Sequence, residues 1–470
     1  MVIFSIVLMT TMFTCFNLKK YNFDYMIPVN IFCIVFLLSE LICLSNVTNF
    51  AIKFHWTTFF VLLFSMALFT LLSCYIYKNK KKGLKKDKVK LKKIVIDKKI
   101  LIALIILQVL TIIAFIVYLY NITDYYNTHF AYDGKIYGFS NMIKLYDTLT
   151  KFWVDTFLKI KVSIPLVYRI GNPITYGCAL TMIYIVVNNY VVEKKVRLLE
   201  VLPIILLCIN IYINGSRSPI FRLLTMAIIL YYILSRFNSE KEISRKQNIK
   251  FVIVVGLILI IFGILMVCVM SLIGRKYTVS SLNEYVFTYI GAPLVNFDNY
   301  IAKNGFKSHT WLIGAQSLKS MYNYIGKWTH NNTLLTYPTI NVFAYSNNGI
   351  EIGNVYTTFY PWVYDLGVFG LIFIIPLILY YVYTYKDVST KKVFNGMSFK
   401  LFLYSYLFND LIMLVFSNRF YETVFDPGVI KLMIFAFLFI QLCINKNYGV
   451  MDWFTTKFLQ IRKIYEKKIN

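Results

Sequence analysis

The chain has 470 residues, 58% of them hydrophobic and 15% charged, with a net charge of +27. Soluble domains run nearer a quarter charged, and a chain this apolar has more side chains than one water-soluble core can hide. Apolar runs of roughly 20 residues, the length a helix needs to cross hydrocarbon, recur from end to end. Spanning strands would show weaker alternating patterns, so membrane helices are the remaining reading.

The positive charge is not distributed as in a nucleic-acid-binding protein. Lys78, Lys80, Lys81, Lys82, Lys85, Lys86, Lys88, Lys90, Lys92 and Lys93 share one loop between two apolar runs. Such a loop is what the positive-inside rule expects on the cytoplasmic side, facing anionic lipid. A docking site for a cytoplasmic partner is its other possible use. All eight cysteines (Cys15, Cys33, Cys43, Cys74, Cys178, Cys208, Cys268, Cys443) fall inside apolar runs. Disulfide frameworks and zinc clusters need loop cysteines at short spacings, so these read as small apolar filling.

In chain order the hydropathy predicts spans over 2–16, 26–45, 57–77, 100–122, 173–192, 198–213, 219–236, 251–273, 363–384, 401–416 and 428–445. The first lacks a basic n-region and reads as a retained span. With the Lys-rich loop inside, the inner segments are 17–25, 78–99, 193–197, 236–250, 385–400 and 445–470, and every one is basic. The N-terminus then lies outside and the C-terminus inside. The expected fold is all-α, a polytopic membrane bundle of about eleven transmembrane helices. It forms one integral membrane domain over 1–470, with 78–99 as basic cytoplasmic loop and 446–470 as cytoplasmic tail.

Two large outer segments remain. The first, 123–172, is polar and aromatic, with Asp124, Tyr125, Tyr126, Tyr132, Asp133, Tyr137, Trp153 and Asp155. The second, 274–354, has amphipathic stretches at Leu282, Tyr285, Val286, Tyr289 and at Trp311, Leu312, Leu318, Met321, Tyr322. These predict short interfacial helices.

The segment Asn214-Gly215-Ser216-Arg217-Ser218-Pro219 predicts a tight outer hairpin. Ser218 can cap the next helix and Pro219 suits its first turn. Free N–H groups at a helix start, with Arg217 beside them and Arg222 just inside the membrane, form a diphosphate site in kind. The alternative is arginines snorkelling to headgroups. Arg169 precedes a Gly-Asn-Pro break, Arg275 leaves a long span and Arg419 lies in the last outer loop. Each is either an interface anchor or a further anion ligand. Asp365 opens a span beside Gly367 and Gly370, which permit close helix packing; it is either a base or a helix N-terminal carboxylate. His330 and Glu351, in the long outer segment, are the other candidate bases. Glu40 and Asp410 lie inside spans, where they bond to neighbouring helices or serve an ion path, and Lys431 also falls within a span. No outer Asp-X-Asp suggests a carboxylate-held metal, and neither a Walker loop nor a dinucleotide glycine motif is present.

On these residues the chain resembles the Wzy-type oligosaccharide repeat-unit polymerases of O-antigen and capsule synthesis. The resemblance is architectural over nearly the whole chain. It is sharper at Gly215-Ser216-Arg217-Ser218-Pro219, similar to the family's Gly-Ser-Arg outer hairpin, and from Asn354 to Gly370, similar to its stretch ending Asp-Leu-Gly-X-X-Gly. Related ligases often open that stretch with His-Asn; the matching place here is Gly353-Asn354, without the His. The resemblance implies glycosyl transfer without a cofactor or metal at the outer face of a bacterial cytoplasmic membrane. The donor would be a growing glycan on undecaprenyl diphosphate and the acceptor a new lipid-linked repeat unit, with a flippase and a chain-length regulator as partners. Arg217, Arg222, Arg275, Arg169 and Arg419 would hold diphosphate; Arg217, Asp365, Glu351 and His330 would serve catalysis; aromatic outer loops would stack on sugars. A flippase or other transporter, a polysaccharide ligase and a non-catalytic envelope scaffold are the alternatives.

Overall fold

The computed structural model describes residues 1–78, 91–131, 134–216, 218–238, 245–272, 282–310, 312–334, 342–390, 396–446 and 449. Arg217, Arg275, Tyr132, Asp133, Trp311, the lysines from Lys80 to Lys90 and most of 446–470 lie outside that set, as do the side chains of Asp155, Cys268 and Leu282.

The chain is an all-α polytopic membrane bundle. Among the described residues, eight helical spans are long and apolar enough to cross a membrane. They are α1 (Val2–Lys20), α2 (Pro28–Ser45), α3 (Trp56–Lys78), α4 (Lys98–His129), α7 (Leu166–Glu193), α9 (Ser218–Asn238), the unit formed by α14 (Phe359–Leu366) and α15 (Ile374–Thr390), and α18 (Pro427–Phe439) with its π-helical extension to Ile444. The other expected spans fall on α8 (Leu198–Ile213), α10 (Arg245–Leu272) and α16 (Phe399–Ile412). Short helices fill the large loops: α5 (Phe139–Lys151), α6 (Val154–Lys159), α11 (Leu282–Val286), α12 (Ala292–Asn304), α13 (Lys319–Thr329) and α17 (Arg419–Val424). One small antiparallel hairpin, β1 (Ala344–Tyr345) with β2 (Glu351–Gly353), pairs Ala344 with Gly353 and Tyr345 with Glu351.

The helices begin where the chain supplies caps. Asp97 accepts from the Lys99 N–H, Ser398 from the Leu401 N–H, and Asp426 from Gly428 and Val429 with Pro427 in the first turn. The expected Gly-Asn-Pro break at 171–173 is not a break. Helix α7 runs from Leu166 through Pro173, and Asn172 there accepts from Asn210 of α8 at 2.8 Å. Close approach follows from glycine: a side chain at Gly177 would meet the Leu432 backbone of α18, and one at Gly171 would meet Thr111 of α4.

Polar ties define two ends of the bundle. At the basic end, Asp24 accepts from Tyr232 (2.5 Å), Arg236 (2.6 Å) and Tyr385 (3.0 Å). Asn189 there exchanges both amide bonds with the Ile94 backbone at 2.9 Å. At the opposite, distal end, Asn46 pairs with Asn283, Asn347 donates to the Ala51 carbonyl, and His55 sits on Asp298. The run 282–304 does not merely lie on a surface. Residues Gly291 to Asp298 are buried, and the carbonyls of Ile290 and Gly291 accept from Ser39 and Cys43 of α2. A second, smaller hydrophobic cluster joins the distal half of α4 to α5 and α8 through Phe115, Leu119, Ile143, Leu149 and Ile213.

Candidate functional site

Among the described residues, a polar constellation at the distal end is built around α17, a helix of six residues. Arg222, in the second turn of α9, forks onto Asp410 of α16 with Nη1 2.9 Å from Oδ2 and Nη2 2.7 Å from Oδ1. The same guanidinium donates to Thr423 Oγ1 of α17 at 3.2 Å and lies over the Tyr406 ring. Asp410 is wholly buried, so this pair is fixed by geometry that only a planar fork satisfies. On the other side of α17, Arg419 Nη1 lies 3.4 Å from Glu422 Oε2, and Lys319 Nζ lies 3.2 Å from Glu422 Oε1. Arg419 Nε is buried and finds no partner among the described residues. Three cations therefore surround two carboxylates, and Arg419 keeps donor capacity for an anion.

Asp365 anchors the same region. Its carboxylate accepts from the backbone N–H groups of Gln316 (2.9 Å) and Ser317 (2.8 Å). Its carbonyl accepts from Ser308 Oγ at 2.7 Å. Asn418, next to Arg419, donates to the Ser317 carbonyl at 2.9 Å and accepts from Trp362 Nε1 at 3.1 Å. The glycines beside Asp365 are part of this knot. Gly367 has φ +61 and abuts the Phe306 carbonyl, while a Cβ at Gly370 would meet the Trp362 backbone. The stretch ending in Asp-Leu-Gly-X-X-Gly thus ties Phe306, Ser308, Gln316, Ser317 and Asn418 to it, immediately before Lys319 and Arg419.

The structure brings together Arg222, Arg419 and Asp365 from the residues singled out in the sequence. The segment before α9 leads directly into the same region, since α9 begins at Ser218 with Pro219 in its first turn. Gly215, at φ +73, packs its backbone against Asp147, which pairs with Lys151. Arg217 and Arg275 lie outside the described residues. Arg169 stands apart from α17, exposed in the first turn of α7. His330 is exposed at the C-cap of α13 with φ 52, and Glu351 is exposed on β2. Glu40 is buried and accepts from Thr10 at 2.9 Å, and Lys431 is exposed on α18.

Sequence reasoning missed Lys319, Glu422 and Asn418, whose roles depend on contacts far along the chain. It also missed His55 and Asp298. Asp298, wholly buried on α12, accepts from the His55 backbone N–H at 3.0 Å and holds His55 Nδ1 at 2.8 Å, while the imidazole stays half exposed. Beside it, Tyr300, Tyr356, Tyr360, Tyr364 and His309 form a chain of ring contacts between 4.4 and 6.0 Å. Burial raises the Tyr300 and Tyr356 hydroxyls above their ordinary range, so both stay protonated.

No family model, no curated protein and no solved structure matches the chain. What the fold defines is the class, a polytopic helical membrane protein with a cationic polar cluster at one end.

Proposed function

We propose that the protein is a repeat-unit polymerase of the Wzy type, acting at the outer face of a bacterial cytoplasmic membrane in O-antigen or capsule synthesis. The distal end is then outside, with the N-terminus outside and the C-terminus in the cytoplasm. The observation that carries the reading is the convergence on α17. The chain that follows the Gly-Ser-Arg hairpin reaches it through Arg222, and the Asp-Leu-Gly-X-X-Gly stretch reaches it through Asp365 and Asn418. Two segments resembling one family's motifs, more than a hundred residues apart, support the same short helix.

In the proposed reaction the acceptor sugar's hydroxyl oxygen bonds to the donor's anomeric carbon as that carbon's bond to the diphosphate breaks. The electron pair leaves on the lipid diphosphate, and the hydroxyl proton passes to a base. A diphosphate is already a good leaving group, so it needs fixed positive charge more than a proton. Arg217 and Arg419 supply that charge, assisted by Lys319. Arg222, spent on Asp410 and Thr423, holds α17 in place. Arg275 and Arg169 extend the anion path. Glu351 and His330 have open side chains suited to accepting the proton, whereas Asp365, engaged on both oxygens, contributes by positioning. Donor and acceptor lipids, membrane lipids, a flippase and a chain-length regulator are the partners this reading carries.

The test is Arg217→Ala and Arg217→Lys in proteoliposomes supplied with lipid-linked repeat units. Loss of one such donor typically lowers a rate about 10²–10³-fold. Long product ladders from Arg217→Ala at normal membrane levels would sink the role. One observation favours transport instead: Glu40 Oε2 is buried without a partner among the described residues. Glycan analysis of a deletion strain separates the two, because lost transport traps lipid-linked units inside and lost polymerisation leaves single units outside.

A further inference from the structure

Helix α4 is longer than a membrane requires. Its 32 residues extend about 48 Å, against a hydrocarbon core of about 30 Å. It starts at Lys98 on the basic end, so its last turns stand clear of the hydrocarbon at the distal end. There, α4 and the irregular run leading to α7 border a broad, open cleft of about 450 Å³, lined by Asn121, Asp124, Tyr125, Thr128, His129, Lys161, Val162 and Ser163.

The lining has a particular chemistry. Tyr125 and His129 stack with ring centroids 4.1 Å apart and planes 11° from parallel, which makes one flat face. His129 Nδ1 lies 3.0 Å from the Tyr125 carbonyl. The Thr128 hydroxyl lies 2.7 Å from the same nitrogen, so ring nitrogens and a hydroxyl both add hydrogen-bonding groups here. Asp124 adds a carboxylate, Asn121 an amide, Ser163 a hydroxyl and Lys161 an ammonium. A ligand that meets donors, acceptors and a flat ring face together is a polyhydroxylated ring. A phosphate would call for several cations, and Asp124 offsets the only one in the lining. The elements packed beside the cleft touch Asn214 and Gly215. Helix α5, packed on α4, carries Asp147 against Gly215, and Tyr168 donates to Asn214 at 2.9 Å.

We propose that this cleft is a glycan subsite, holding sugar units of the lipid-linked chain above the headgroups while the diphosphate lies at the hairpin and α17. The proposal rests on the polymerase reading and names where its substrate's sugars dock.

The experiment uses Asp124→Ala, Lys161→Ala and His129→Ala in the full-length protein in proteoliposomes. The substrate is lipid-linked repeat unit extracted from cells lacking the protein. Losing a hydrogen bond to a charged group should raise KM about tenfold or more, with the loss falling on KM rather than kcat and with shorter product ladders. A parallel measurement does not need turnover: saturation-transfer NMR with the free repeat oligosaccharide, released from the same lipid by mild acid. Wild type should show transfer to the sugar protons and Asp124→Ala should not. Unchanged KM, ladder and transfer in all three variants, with thermal stability also unchanged, would overturn the subsite. If wild type binds the oligosaccharide but makes no polymer, the polymerase reading fails and the glycan site stands. A fall in stability with KM unaltered would assign these side chains to folding and overturn the proposal.

Discussion

Arg222 and Asp410 lie near the distal membrane boundary, where an unpaired charge is costly. Breaking a buried pair from one side typically costs about 3–5 kcal/mol, because the partner stays buried and unpaired. Arg222→Met should therefore lower thermal stability in detergent sharply, while Arg222→Met combined with Asp410→Leu should recover most of it. A double variant as unstable as the single one would show that something other than the orphaned carboxylate is responsible. Asp365 makes a second residue-scale case. If it clamps the Gln316 and Ser317 amides, Asp365→Ala should speed hydrogen exchange at those two amides. Each lost bond to the carboxylate is worth roughly 1.5–3 kcal/mol. Activity loss with full amide protection would point to a base instead. Neither pairing was legible in the sequence. The chemical type of each residue was visible, and an ionisable group in a span is a fair flag. The partners, however, stand 188 positions apart for Arg222 and 48 to 49 for Asp365, and no local period links them. His55 and Asp298, 243 apart, were invisible for the same reason, since a lone histidine before a span carries no signal of what lies behind it.

At the scale of elements, the spans were the most readable feature, because roughly 20 apolar residues leave a helix few alternatives. Element ends were less readable. Helix α7 runs on through Pro173 although Gly-Asn-Pro reads as a break, and α4 continues past the membrane with α5 packed on its distal half. The 282–304 run went into the bundle because α2 presents Ser39 and Cys43 to its carbonyls. The glycines of the 354–370 stretch are the sharpest test at this scale. Gly370→Ala drives a Cβ into the Trp362 backbone, and Gly367→Ala adds a left-handed φ to a close carbonyl. Both should destabilise strongly, by more than the roughly 1 kcal/mol that glycine-to-alanine changes carry in a helix. Gly256→Ala on α10, where a Cβ meets nothing within 4 Å, should be neutral or stabilising. Equal effects at Gly370 and Gly256, read as membrane yield and melting temperature, would mean that the stretch is not the knot described.

For the whole molecule, orientation is the property on which every functional statement depends. The basic end carries the Lys-rich loop and the ties through Asp24 and Asn189, and the distal end carries α17, the hairpin and the cleft. Positive-inside bias is strong in short loops and weak in long ones, which is why the basic residues of 123–172 and 274–354 do not weigh against it. Orientation can be tested independently of any activity. A cysteine at Lys144, exposed on α5, should react with a membrane-impermeant maleimide in intact cells. One at Lys195, exposed just beyond α7 at the basic end, should react only after the membrane is opened. The native cysteines described in the structure lie within helices, so each signal is read as an increase over the unsubstituted chain. The reverse labelling pattern would put α17 and the cleft in the cytoplasm. Lipid-linked chains outside the cell could not reach them there, and the polymerase and glycan-subsite proposals would fall together, while the bundle and its internal ties would stand unchanged.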